Sequence, residues 1–169
     1  MGNVVRQKIG FIICILFVIT TILYGCSFET VKYIGADKRE CEQLLDCLST
    51  DNIEDLKSMF CKIISSSEDF DEQIQRAMEF FEGTVISHDF PSISSDESVN
   101  YGKYKVFFIS PVISNIVTST DKIYEIEFYS YLAYAKDRNR EGISELIIKC
   151  SDGTECIVGD YYKVSPEDR

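Results

Sequence analysis

Hydrophobic positions fall along this chain in three regimes. Residues 9–23 are almost continuously apolar, interrupted by Gly10, Thr20 and Thr21 and preceded by Arg6 and Lys8. Residues 37–81 repeat with a helical period. Cys41, Leu44, Leu45 and Leu48 recur at i, i+3, i+4 and i+7, the spacing of one helix face. Ser49, Thr50, Asp51 and Asn52 interrupt this stripe, and Asp51 with Glu54 three residues on fits a capping box. A second stripe joins Ile53, Leu56, Met59, Phe60, Ile63 and Ile64 and stops at Ser65, Ser66 and Ser67. A third joins Phe70, Ile74, Ala77, Met78 and Phe81, with Asp69 and Glu72 at its start and Gly83 placed as the residue after its end. Three helices are predicted.

Beyond Gly83 the period drops to two. Strands are predicted at 84–89, 99–110, 112–117, 123–135, 143–150 and 154–158. Residues 90–98, with Pro91 and four serines, read as a loop. Gly102 reads as a bulge, Pro111 as the end of ladder donation, and Asp152-Gly153 as a hairpin turn. The segment 123–135 alternates most clearly. Tyr124, Ile126, Phe128, Leu132 and Tyr134 take one face, and Glu125, Glu127, Tyr129 and Tyr131 the other. Helices followed by strands in blocks indicate an α+β domain, with three N-terminal helices on a curved antiparallel sheet. The order resembles the cystatin-like and nuclear-transport-factor-like cone folds.

The N-terminal run fixes where the protein works. Two cations, a short apolar core and small Gly25 before Cys26 form the layout of a secretory signal. A membrane-spanning helix needs about 20 predominantly apolar residues, and only by extending the run to Phe28 is that length approached, which leaves an uncleaved signal anchor as the competing reading. Leu23, Gly25 and Cys26 resemble the lipobox of bacterial lipoproteins, with Tyr24 bulkier than usual there. The resemblance implies a lipid on Cys26 and attachment to the outer face of a bacterial membrane. The chain then divides into a signal peptide (1–25), a tether (26–36), one α+β domain (37–165) and a frayed tail (166–169).

Further resemblance reaches past the lipobox. Ser27-Phe28, the segment from Val31 to Lys38, Asp71-Glu72-Gln73-Ile74, Phe80-Phe81-Glu82-Gly83 and Tyr101-Gly102-Lys103 are similar to a family of small Gram-positive lipoproteins classed as a domain of unknown function. That resemblance implies a lipid-anchored cone-like domain and carries no catalytic residues with it.

Charge and candidate chemistry narrow the function. Seventeen Lys and Arg stand against 28 Asp and Glu, for a net charge of −11. Such a chain is repelled by nucleic-acid phosphates, so no nucleic-acid partner is expected, nor membrane binding without the anchor. Cys41, Cys47, Cys61, Cys150 and Cys156 follow Cys26, an odd number that argues against a full disulfide framework. Neither the Cys41/Cys47 nor the Cys150/Cys156 spacing is that of a structural zinc site, and no metal or other cofactor is expected.

His88 is the single histidine and the one candidate for a general base, with Asp89 beside it. No nucleophile elbow, P-loop or metalloprotease motif accompanies it. The remaining lead is the polar strand face of Glu125, Glu127, Tyr129 and Tyr131, since tyrosine pairs an apolar body with a hydroxyl and suits binding surfaces. Together with His88 these form the candidate ligand- or partner-binding set. Three functions are compatible with these features: a non-enzymatic binding module for a protein or small ligand, an enzyme with a cone-shaped pocket, or an immunity-type protein that neutralises an exported toxin. The first is favoured, because no catalytic motif is present.

Cys26→Ala should abolish lipidation and processing by the lipoprotein peptidase. Intact-mass measurement of the membrane fraction checks this, and an unmodified Cys26 in the natural chain would refute the anchor.

Overall fold

The computed structural model describes residues 33–165. The signal peptide, Cys26, most of the tether and the tail lie outside them. The fold is mixed α+β. Helix α1 (Ala36–Ser49), α2 (Ile53–Met59), α3 (Lys62–Ser65) and α4 (Phe70–Phe80) are followed by β1 (Val85–Ser87), β2 (Ser92–Asn100), β3 (Lys103–Thr118), β4 (Ile123–Tyr134), a 3₁₀ turn (Arg138–Arg140), β5 (Gly142–Cys150) and β6 (Glu155–Gly159). A short α5 (Tyr161–Val164) ends the described chain. Among the described residues, four helical segments therefore precede the sheet and a fifth comes after it, where three were expected.

The sheet is six-stranded and antiparallel. Its path runs β1-β3-β4-β5-β6, and β2 also pairs with β3. Strands β1 and β2 share one edge of the long β3: Val85 lies opposite Thr118 near its end, and Asn100 opposite Lys103 at its start. The α1 and α4 stripes supply Leu44, Leu48, Ile74 and Ala77 to one core with Ile109, Ile113, Ile126, Phe128, Leu146 and Ile148 of the sheet, all of them essentially inaccessible. Phe81 and Tyr124 stack at 4.7 Å. The Tyr124 hydroxyl donates to the Phe80 carbonyl at 3.0 Å and accepts from the Glu82 amide at 3.0 Å. The end of α4 is thereby fixed to β4.

Several expectations are corrected. Residues 92–100 are a strand, where a loop was expected over 90–98. Their composition carries no apolar period because eight of the nine positions are exposed, and an outer edge strand gains its order from ladder bonds to β3 alone. Tyr101 and Gly102 form the turn between β2 and β3 rather than a bulge, with φ of 49° and 72°. Positive φ at both central residues is the type I′ geometry of tight hairpins. β3 runs through Pro111, which sits opposite Ile93. The second predicted helix is two helices, because Phe60 and Cys61 are extended (ψ 144° and 155°). Phe60 pairs in parallel with Ile143, and the Cys61 amide donates to the Ile143 carbonyl at 3.0 Å. That pairing fills the edge of β5 beyond the point where β6 leaves it. The capping residue of α2 is Asn52, whose side chain accepts from the Asp55 amide, one position after the expected Asp51.

Strand β4 departs from strict alternation. Its pairing with β5 shifts between Tyr129 and Ser130, and its pairing with β3 shifts between Phe107 and Phe108. Tyr131 stays on the Tyr129 face, opposite Phe108, but is buried rather than solvent-facing, only 4% exposed. Its ring meets Phe108 at 5.0 Å and Tyr134 at 5.3 Å, and α5 covers the same ground, with Tyr161 5.7 Å from Phe108. Burial, then the neighbouring Tyr161, pushes the Tyr131 phenol up to about 12.

Ser130 turns toward the helices, where its hydroxyl donates to Glu40 Oε1 of α1 at 2.7 Å. Glu40 Oε2 is buried and has no partner among the described residues. Desolvation pushes this carboxyl up to about 7, against the lowering effect of the Ser130 bond. A buried acid with one unsatisfied oxygen is better tolerated with its proton on.

This packing makes two outcomes expected. Because the Glu40 carboxyl is raised from 4.5 to about 7 on folding, the native state binds the extra proton between those values. Glu40 therefore contributes most below the lower value, and its contribution is lost as pH rises through the higher one, by on the order of 3 kcal/mol. Glu40→Gln, which cannot ionise, should flatten that slope; urea unfolding at about pH 5 and about pH 8 measures it, and an unchanged slope would place the carboxylate in solvent. Tyr131→Ala should cost about 3 kcal/mol, as for other large buried rings. A loss within error in the same urea assay would show that α5 does not cover it.

Candidate functional site

The face of the sheet turned away from α1 and α4 carries a connected polar patch. Glu125 and Glu127 project from β4 two residues apart, and register sets Glu125 opposite Lys149 of β5. Lys149 Nζ lies 3.5 Å from Glu125 Oε1 and 3.5 Å from Glu127 Oε2, so one ammonium bridges both carboxylates. Ser114 of β3 donates to Glu125 Oε2 at 3.1 Å. The Tyr129 hydroxyl donates to Glu127 Oε1 at 2.6 Å. That bond, with burial second, pushes the Tyr129 phenol up to about 12, which keeps it a donor at any physiological pH. All five side chains are partly exposed: Lys149 is 40% and Glu127 22% exposed.

Beyond Tyr129 the patch becomes aromatic. Tyr129 lies 6.3 Å from Phe108 and 5.1 Å from Tyr161, and Tyr161 meets Tyr162 at 5.7 Å. Tyr162 is 86% exposed. The Tyr161 amide donates to Glu145 Oε2 at 2.9 Å, which seats α5 over this end of the face. The polar face thus consists of Glu125, Glu127 and Tyr129, joined by Lys149, Ser114, Tyr161 and Tyr162. Tyr131 belongs beneath α5 and not to the surface.

His88 is elsewhere. It lies after β1 in the corner before β2, exposed, with Nδ1 2.8 Å from the Asp89 carbonyl. Asp89 accepts from the Asn115 side chain at 2.5 Å. No hydrogen bond joins His88 to Glu125, Glu127 or a serine hydroxyl among the described residues, so it is not arranged as the base of a nucleophile. The two sheet acids share one lysine, which makes them an ion-pair network rather than an acid and a base facing each other across a gap.

A second feature has no counterpart among the sequence expectations. The β2–β3 turn, the end of β4 and the 3₁₀ turn enclose a cleft of about 300 Å³. Lys103, Lys105 and Arg138 line it with Glu141, Ala133, Ala135 and the rings of Tyr33 and Tyr104. Glu141 Oε1 accepts the Tyr134 amide at 3.1 Å, and the Glu141 amide donates to the Arg138 carbonyl at 3.1 Å, so the two residues share one turn and the Glu141 side chain is tied to the end of β4. Tyr33 meets Tyr104 edge-on at 5.0 Å, and Tyr104 stacks on Phe107 at 5.0 Å. The signal that could have revealed it was Lys103-Tyr104-Lys105 and Lys136…Arg138…Arg140, two basic clusters in an acidic chain.

The five described cysteines are free, four of them buried. Burial, with Glu40 next, pushes the Cys41 thiol up to about 12, which makes it a packing group rather than a nucleophile. Among the described residues, no group of three or more His, Cys, Asp or Glu is placed to hold a metal ion, and no helix is long and apolar enough to cross a membrane. No curated protein matches this chain. A family model described as a domain of unknown function, DUF5104, matches residues 43–155, from the middle of α1 to the start of β6 and through both the sheet patch and the basic segments. The chain belongs to the DUF5104 family.

Proposed function

We propose that this protein is an extracytoplasmic lipoprotein, held on the outer face of a bacterial membrane by a lipid on Cys26, that binds a protein partner without catalysing a reaction. The lipobox-like residues support the anchor, and the α+β order supports a cone-like fold of the cystatin or nuclear-transport-factor kind, as in the Gram-positive lipoproteins it resembles. The observation that carries the binding function is the half-open patch of Glu125, Glu127, Lys149 and Tyr129 continuing into exposed Tyr162. Acids tied by one lysine leave net negative charge beside aromatic rings. Rings and charge side by side are the composition of a recognition surface, and the sign selects a partner whose contact surface is basic.

Tyr129→Ala with Tyr162→Ala should leave urea stability within about 1 kcal/mol, since neither ring is core, yet reduce crosslinked capture of a basic partner in intact cells about tenfold. Capture should also fall as ionic strength rises. Should the double variant be less stable than this, Tyr162→Ala alone, at a position almost fully open to solvent, gives the same reading. Full capture by a folded variant would refute the patch as the binding surface.

A further inference from the structure

Charge on this chain is divided by place. The total is −11, yet segments 103–105 and 136–140 hold Lys103, Lys105, Lys136, Arg138 and Arg140 against a single acid, Asp137. Asp137 is already engaged, 3.5 Å from Arg140 and accepting from the Asn139 amide at 3.1 Å. Strand pairing brings the two segments to one end of the sheet. Val106 lies opposite Tyr134, and the Ala135 amide donates to the Lys105 carbonyl at 2.9 Å. Lys105 and Arg138 have no ion-pair partner among the described residues. Arranged around a concave wall, such cations repel one another and focus a positive potential into the cleft.

We propose that the cleft lined by Lys103, Lys105, Arg138, Glu141, Tyr33 and Tyr104 binds the phosphate ester of a small polar molecule. The cations meet the phosphate, and the Arg138 guanidinium is suited to grip two of its oxygens. Two acids adjoin the site. Glu141 lines it, and Glu97 lies close enough to Tyr104 to act, after burial, in raising that phenol. They disfavour a bare anion and favour a ligand that also presents hydroxyl or ammonium donors. The volume of about 300 Å³ is at the lower end of small-molecule sites, which fits a phosphorylated polyol or amine and excludes a nucleic-acid strand. The aromatic wall of Tyr33 and Tyr104 supplies an apolar surface for its carbon skeleton.

That chemistry has two sources, a phospholipid headgroup and a free phosphorylated solute. The chain between Cys26 and Tyr33 can span at most about 25 Å, so a lipid on Cys26 would keep the cleft within that distance of the headgroup layer. The cleft's chemistry does not rest on the anchor; only the lipid source does.

The test uses the full chain, reconstituted in phosphatidylcholine nanodiscs and titrated with glycerol phosphate by calorimetry. Saturable binding that weakens with added salt is expected. Lys105→Gln with Arg138→Gln, both at exposed positions, should weaken it at least about tenfold while the melting temperature holds. Ala135→Trp fills the cleft without altering charge and should weaken it equally. Repeating the titration in phosphatidylglycerol nanodiscs identifies the source. Suppressed binding of the soluble probe there assigns the cleft to lipid headgroups, and unchanged binding assigns it to a free solute. No saturable binding in phosphatidylcholine nanodiscs would overturn the proposal. So would wild-type affinity in Ala135→Trp, which would mean diffuse attraction to surface charge rather than a site.

Discussion

The structure turns on one corner of the sheet, where the chain of β5 enters between Gly142 and Ser144. At Gly142 the backbone of Met59 and Cys61 approaches so closely that a Cβ would stand 2.8 Å from each, and φ is 115°, so glycine is required on both counts. Two residues on, the Ser144 hydroxyl donates to the Tyr129 carbonyl at 3.0 Å, beside the register shift of β4. The Ser144 carbonyl accepts from the Asp160 amide at 2.9 Å and would lie 2.4 Å from a Cβ on Gly159. The break between α2 and α3, the register shift between β4 and β5 and the entry to α5 all meet there. Each of the features that distinguish this domain from a plain helix-on-sheet layer is set by this contact.

Legibility elsewhere depends on where apolar side chains fall. The stripes of α1 and α4 and the first half of β4 are encoded by burial on one side, so their period shows in the letters. The strand β2 is not, because Ser94, Ser95, Asp96 and Glu97 are exposed on an outer edge and only hydrogen bonds to β3 order them. Charged and polar residues there also discourage pairing with another chain. The helical stripe through Phe60 was misleading. Phe60 and Cys61 are buried as expected, but they are buried as an extended segment against Ile143, a pairing of residues far apart in the chain that no local period records. For the candidate site the same limit applied. Alternation put Glu125, Glu127 and Tyr129 on one face, where they are. It put Tyr131 on that face too, opposite Phe108, but could not show its burial, since a one-turn helix arriving from residue 161 has no signature in the neighbouring letters.

Glu40 carries the consequence of one polar side chain on the core face of β4. Ser130 continues the buried alternation of Tyr124, Ile126 and Phe128, a place usually filled by an apolar residue, and its hydroxyl is satisfied by reaching α1. The carboxyl that answers it lies among Cys41, Leu44 and their neighbours, where its second oxygen has no donor. A protonated acid resolves this, an ionised one does not. The packing of α1 on the sheet is therefore linked to proton activity through a polar contact, although the layer around it is almost entirely apolar.

The same strand that carries this contact separates the two ends of the molecule electrostatically. Toward its middle, β4 presents Glu125 and Glu127 on the open face, and past its end the loop presents Lys136, Arg138 and Arg140. A uniformly acidic domain would hold itself away from an anionic surface in every orientation. A domain with its cations gathered at the end bearing Tyr33 is repelled least with that end turned inward, and Tyr33, within the tether, is where the described chain begins. With a lipid on Cys26, charge and covalent attachment favour the same orientation, with the basic cleft toward the headgroups and α5 with the acidic patch on a separate surface. Under the two proposals, one short domain would in that way keep a phosphate ester and a basic protein partner apart, each met by the residues whose charge suits it.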